Sequence, residues 1–179
     1  MTDRLKDMTD QLKIFSFIPF ICLSAFVTGQ ETDHWESIIR TGDPCRYLVP
    51  SQLVDAQWCE PGFDDALWMP GTGGVGYGDE DDNTVIDPCI SVCCRYVFTV
   101  PDPAVIRQLV LDVDFDDGFV ACLNGTELAR FHMGPSGSPV AWDRPADDWH
   151  EAELYSGGEP MRILLHDSLL SELIAGENV

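Results

Sequence analysis

The side chains in this chain best able to do chemistry are its carboxylates. Between Gly78 and Asp87, Asp79, Asp81 and Asn83 alternate, with Asp82 among them. Calcium takes about six to eight oxygen ligands at flexible distances, and alternating Asp/Asn side chains in a glycine-framed loop can supply them. The pattern is not an EF-hand, because no glycine follows Asn83 and no glutamate closes the loop. Packing Asp79, Glu80, Asp81 and Asp82 together without a nearby Lys or Arg is costly, so a structural calcium ion is expected there. The alternative is a solvated acidic turn. Carboxylates also come in adjacent pairs: Asp64-Asp65, Asp116-Asp117 and Asp147-Asp148. A glycosidase needs two carboxylates facing each other across its substrate, which sequence neighbours do not supply by themselves. Asp is in any case favoured in turns. His34, His132, His150 and His166 lack metal-ligand spacing, and no GxSxG, HExxH or kinase signature occurs. A catalytic role is therefore not expected. Trp142 and Trp149, in loops rich in acid, offer flat rings on which a sugar can dock, with Asp116 and Asp117 as polar partners. The competing reading packs both tryptophans onto the fold, as large aromatics usually do.

Charge narrows the partners. The 179 residues carry 31 Asp and Glu against 10 Lys and Arg, a formal charge of -21. Lysine occurs only at Lys6 and Lys13, so Arg is the sole fixed cation beyond the first segment. Such a surface repels nucleic-acid phosphates and anionic membranes. Hydrophobic residues make up 45% and charged residues 23%, an ordinary globular balance with length for one domain.

The first segment sets an expected compartment. Residues 14–29 read IFSFIPFICLSAFVTG, preceded by Arg4, Lys6 and Lys13 and ending in small residues. This is the layout of a secretory signal peptide over 1–29, cut near Gln30. The apolar run is shorter than the ~20 residues a membrane span needs and contains Pro19. Cys22 leaves with the leader, and six cysteines remain over 30–179. In an exported chain at least one disulfide is expected, with Cys45, Cys59 and Cys89 in the loop-rich half as the leading candidates. Cys94 alternates with Val92, Tyr96, Phe98 and Val100 and is expected to be a reduced core thiol.

The elements positioning these groups read as strands and turns. Residues 35–39 suggest a first strand, and the run PGTGGVGYG at 70–78 signals tight turns and close backbone approach. It is not a phosphate loop, since no Lys-Ser/Thr and no helix follow. Leu109, Leu111, Val113 and Phe115 alternate, as do Phe119, Ala121 and Leu123. A three-residue loop, 116–118, would pair these two strands with every large apolar residue on one face. Gly118 would be its left-handed residue, and Cys122 would face outward beside Asp112 and Asp114. Asn124-Gly125 is a two-residue hairpin signal, and also part of the sequon Asn124-Gly125-Thr126, read first as a turn. Short strands at 150–154 and 161–165 follow, then two helical turns over 167–174 capped by Asp167. Many short strands between turn signals indicate an all-β, antiparallel sandwich.

A set of motifs in fixed order adds to this: Trp35-Glu36, RYLVP at 46–50, GFDD at 62–65 with Trp68, GYGD at 76–79 followed by DDNT at 81–84, DFDDGFVA at 114–121, LNG at 123–125, HEA at 150–152 and the closing GENV. Together they resemble the galactose-binding-like jelly-roll module of large secreted bacterial proteins that often carry lamin-tail or CotH-type spore-coat kinase domains. The resemblance covers 35–179. It implies a jelly roll in which GENV opens a further strand, so the domain would lack its last strand here, with downstream domains of the same polypeptide as partners. The chain departs from the family at Cys45, Cys59, Cys93 and Cys94. The function expected is a non-catalytic extracellular binding or spacer module, with carbohydrate as the candidate ligand. The alternative is part of a secreted carbohydrate-active enzyme with catalytic carboxylates in the loops.

Overall fold

Strand β1 (Pro44–Leu48) is the middle of a three-stranded antiparallel sheet, between β2 (Met69–Thr72) and β5 (Cys93–Arg95). The computed structural model describes residues 34–78 and 82–179, and the fold is built by the unit Glu36–Val179. In this sheet Cys45 lies opposite Gly71, and Tyr47 lies between Met69 and Cys94. Glycine is required at position 71: a Cβ there would stand 2.9 Å from Tyr47 Cδ1 and 3.1 Å from Thr84 Oγ1. The expected close backbone approach in the glycine run is therefore real. The run continues into β3 (Val75–Gly76), which pairs in parallel with β4 (Thr84–Val85). This pair departs from the all-antiparallel expectation. Its register is fixed by side chains: Thr84 Oγ1 accepts from Thr72 N and donates to Thr72 O, both at 2.8 Å. Asn83 Nδ2 donates to Gly73 O at 2.5 Å.

The Asn124-Gly125 hairpin forms as read. It joins β8 (Phe119–Leu123) to β9 (Thr126–Phe131), with φ of 50° and 90° at its two central residues, the mirror-image turn that matches strand twist. The hairpin expected before it does not form. Strand β7 (Val110–Val113) pairs instead with β10 (Met161–Leu164), Val113 opposite Met161. The reason lies in residues 114–118, which bond to the chain ahead of β10 rather than folding back. The Asp114 carboxylate accepts from Glu153 N (2.9 Å) and Leu154 N (3.0 Å), and Asp117 N donates to His150 O (2.8 Å). The left-handed residue is Asp117, at φ 58°, not Gly118. Gly118 is needed for space, since a Cβ there would lie 2.8 Å from Phe131 O.

Strand β6 (Phe98–Val100) pairs with β11 (Gly176–Asn178), so the first three residues of GENV form a strand. Val100, Leu123 and Leu173 form a buried cluster, with Phe98, Ile106, Leu109 and Leu128 packed around it. Three further expectations are corrected. Residues 35–39 and 150–153 hold no strand. The segment Asp167–Glu172 is a 3-10 helix, and His166 rather than Asp167 caps it: His166 Nδ1 accepts from Ser168 N at 3.2 Å. Asp167, in the first turn, places its charge at the positive end of the helix dipole. The described residues contain strands and short 3-10 turns, and the chain is all-β.

Candidate functional site

The best-assembled loop cluster lies where residues 115–118 meet 147–150. Phe115 is buried and stacks on the His150 ring, centroids 4.1 Å apart and planes 12° apart. Phe119 and Phe131 close on Phe115 at 4.7 and 5.3 Å. Around this aromatic base the backbone is cross-tied. His150 N donates to Asp117 Oδ1 (3.3 Å), while His132 Nδ1 meets Asp117 O (2.9 Å) and His150 Nδ1 meets Phe115 O (3.0 Å). Asp147 N donates to His132 O (2.6 Å), and the Asp147 carboxylate accepts from Gly134 N (2.7 Å) and pairs with Arg144. The Arg144 guanidinium, helped by the Gly134 N–H, holds the Asp147 carboxyl below the usual range.

Trp149 projects from this tied loop with 71% of its surface exposed. Asp116 and Asp117, also exposed, stand on the loop bonded to its neighbour His150. Trp142 does not share this setting: it is half-buried, and its carbonyl accepts from Ser91 Oγ at 2.6 Å. A small open cleft of about 190 Å³ lies beside the loop, lined by Asp114, His150, Glu153, Glu159 and Met161. It is below the roughly 300–1,000 Å³ that enclose a small-molecule substrate. The site is accordingly a surface edge with a flat ring rather than an enclosing pocket.

Each remaining acidic pair has a local structural task. Asp64 Oδ1 accepts from Ala66 N (3.0 Å), Asp65 pairs with Arg95 (2.9 Å), and Asp148 Oδ1 accepts from Trp149 N (2.9 Å). Of the expected calcium ligands, Asp79 and Asp81 lie outside the described residues. Asp82 approaches Gly76, Asn83 holds the Gly73 carbonyl through its Nδ2, and Asp87 is exposed. Among the described residues no three His, Cys, Asp or Glu side chains converge as a metal-holding group, and no helix is long and apolar enough to cross a membrane.

The cysteines are arranged differently from expectation. All six described cysteines are free thiols, so no disulfide joins Cys45, Cys59 or Cys89. Cys45 is buried, and burial pushes its thiol up. Cys94 is only partly buried, yet burial is the main cause raising it to about 12, and Cys93 to about 11. Cys122 does not face outward beside Asp112 and Asp114. The register shifts between Ala121 and Cys122, which sets Cys122 opposite Glu127. A strict alternation reading cannot anticipate such a bulge, which turns one side chain out of sequence. Sequence reasoning also missed Arg95, 4% exposed, whose guanidinium pairs with Asp65 and donates to the carbonyls of Trp58 and Glu60. Comparison with family models, with curated proteins and with solved structures returned no match.

Proposed function

We propose that the chain is a non-catalytic extracellular binding module of a larger secreted polypeptide, of the galactose-binding-like jelly-roll kind, and that its loop edge at Trp149 takes carbohydrate. The observation that carries the reading is an exposed tryptophan on a loop tied to its neighbours, with Asp116 and Asp117 on the adjoining loop. A sugar's flat apolar face docks on such a ring while its hydroxyls bond to polar groups at the rim. Holding the ring on a cross-tied loop lowers the ordering cost of binding. The small volume of the neighbouring cleft and the structural tasks of the other acidic pairs support binding over hydrolysis.

The deciding experiment is a glycan array with wild type and Trp149→Ala, run beside a glycoside-hydrolase screen. Glycan binding that Trp149→Ala reduces at least tenfold, with no hydrolysis, supports the reading. Equal binding by both proteins removes Trp149 from the site, and turnover of any glycan replaces the module with an enzyme.

A further inference from the structure

The turn between β8 and β9 carries a dipeptide open to spontaneous covalent chemistry. Of the asparagines Asn83, Asn124 and Asn178, Asn124 alone is followed by glycine. Glycine has no Cβ to shield its peptide nitrogen, so that nitrogen can reach the side-chain amide carbon of the residue before it. Gly125 is exposed and Asn124 half-buried, so the dipeptide lies within reach of water.

The fold holds this amide away from reaction, and the bonds that do so come from residues 172–179. Asn124 Nδ2 donates to Glu172 O and to Asn178 Oδ1, both at 2.7 Å. Asn124 Oδ1 accepts from Val179 N at 2.9 Å, and Asn124 N donates to Val179 O at 2.9 Å. The same segment is seated by other means. Thr126 Oγ1 donates to Glu172 Oε2 (2.8 Å), Leu173 packs with Val100 and Leu123, and β11 pairs with β6. Attack by Gly125 N requires the Asn124 amide to leave its side-chain partners and turn toward the backbone. The segment must therefore lift before the dipeptide can react.

We propose that Asn124 is a deamidation site gated by residues 172–179, sealed while they are seated and converted to a carboxylate once they lift. Gly125 N gives its proton to solvent and attacks Asn124 Cγ, forming a five-membered succinimide ring. The Cγ–Nδ2 bond breaks and ammonia leaves, taking a proton from solvent. Water then opens the ring. Opening at Cγ leaves an aspartyl residue, and opening at the Asn124 main-chain carbonyl carbon leaves the isoaspartyl isomer. No electrons are gained or lost. The product lacks the two donors that met Glu172 O and Asn178 Oδ1 and sets a negative charge against both oxygens, in a chain already at -21. A transient opening thereby becomes a permanent one, at a place separate from the Trp149 loop.

The test incubates the full chain at mildly alkaline pH with and without urea and follows the Asn124 peptide by mass and by isoaspartyl content. Conversion in the folded chain should run at least about tenfold slower than in urea, because only the locally open fraction reacts. Equal rates, or no conversion in urea, overturn the proposal without recourse to variants. Leu173→Ala, which loosens the core anchor of the segment, should speed conversion in the folded chain. Glu127→Gln, which loosens the turn after β9, should not; equal acceleration by both would place the reaction in the globally unfolded chain and remove the gate. Asn124→Asp should quicken amide exchange at Ile174 and Val179 by about tenfold or more and leave β8 and β9 protected. Wild-type exchange at those two amides would show that the modification does not unseat the segment.

Discussion

Glu127 is the carboxylate whose removal has the most calculable effect. It sits on β9 and accepts four hydrogen bonds: from Arg130 Nε (3.1 Å), Arg130 Nη2 (2.7 Å), Ser136 Oγ (2.7 Å) and Gly137 N (3.1 Å). Arg130 in turn holds Met133 O (2.6 Å) and both oxygens of Ser138. One ion pair therefore anchors the turn after β9 to the hairpin. Arg130 and its hydrogen bonds, with those from Ser136 and Gly137, pull the Glu127 carboxyl from an ordinary 4.5 down to about 2. At about 1.36 kcal/mol per unit, the full shift corresponds to at most about 3 kcal/mol. The Glu127 and Arg130 side chains keep 18% and 7% exposure, so solvent screening brings the expected contribution to about 1–2 kcal/mol.

The sign follows from the depressed value. The contribution is complete above the unfolded carboxyl value near 4.5 and is lost as pH falls from there through about 2. Glu127→Gln keeps the shape and removes the charge. Urea midpoints should place it about 1–2 kcal/mol below wild type at pH 7, with the gap closing as pH falls to about 2.5. Amide exchange at Gly137 should quicken in the variant at neutral pH. A gap of equal size at both pH values would show that Glu127 acts by shape and packing, and the electrostatic account would be discarded.

Asn178 has no exposed surface, and its amide meets Asn124 Nδ2, Ile174 N, Ile174 O and Gly176 O, so Asn178→Ala should cost about 3 kcal/mol in urea unfolding; a loss under 1 kcal/mol would contradict this. Asn124 Nδ2 uses its hydrogens on Glu172 O and Asn178 Oδ1, so the Asn124 sequon should stay unmodified in folded protein made in a glycosylating host. A glycan there on a cooperatively melting protein would count against the arrangement. The calcium expectation for 78–87 is decided by melting in millimolar calcium. A gain in Tm that Asp81→Ala removes and Asp148→Ala keeps supports a site, whereas equal gains in all three mean charge screening.

What the sequence made legible was local. Asn124-Gly125 specifies its hairpin because both residues tolerate positive φ, a property of the dipeptide alone. The alternation in 109–115 shows a strand but not its partner. Val113 meets Met161 across 48 residues because Asp114 and Asp117 bind the backbone of 150–154, a choice alternation does not encode. Arg95 illustrates the other gap. In the run 92–100 alternation marks the face of Cys94 and Tyr96 as core and gives no place to Arg95. Both faces of β5 are covered, and the buried charge is tolerated because Asp65, thirty residues earlier, arrives beside it. Trp149 was visible as a loop aromatic, but its exposure, against the half-burial of Trp142, depends on the folded loops.

The placement of the arginines bears on the proposed carbohydrate ligand. In a chain with so few cations, Arg95, Arg130, Arg144 and Arg162 each sit on a carboxylate of the protein itself: Asp65, Glu127, Asp147 and Asp112. Their charge is already balanced within the fold. The Trp149 edge consequently presents Asp116 and Asp117 in a strongly acidic protein, and a ligand bearing phosphate, sulfate or carboxylate would meet repulsion there. A neutral sugar meets no such cost and still offers a face for the indole and hydroxyls for the carboxylates. An amino sugar would gain further, because its ammonium group pairs with those carboxylates, and its binding should weaken with added salt while that of a neutral sugar should not. The ionic-strength dependence of array binding therefore separates a charge-selected ligand from one selected by ring stacking.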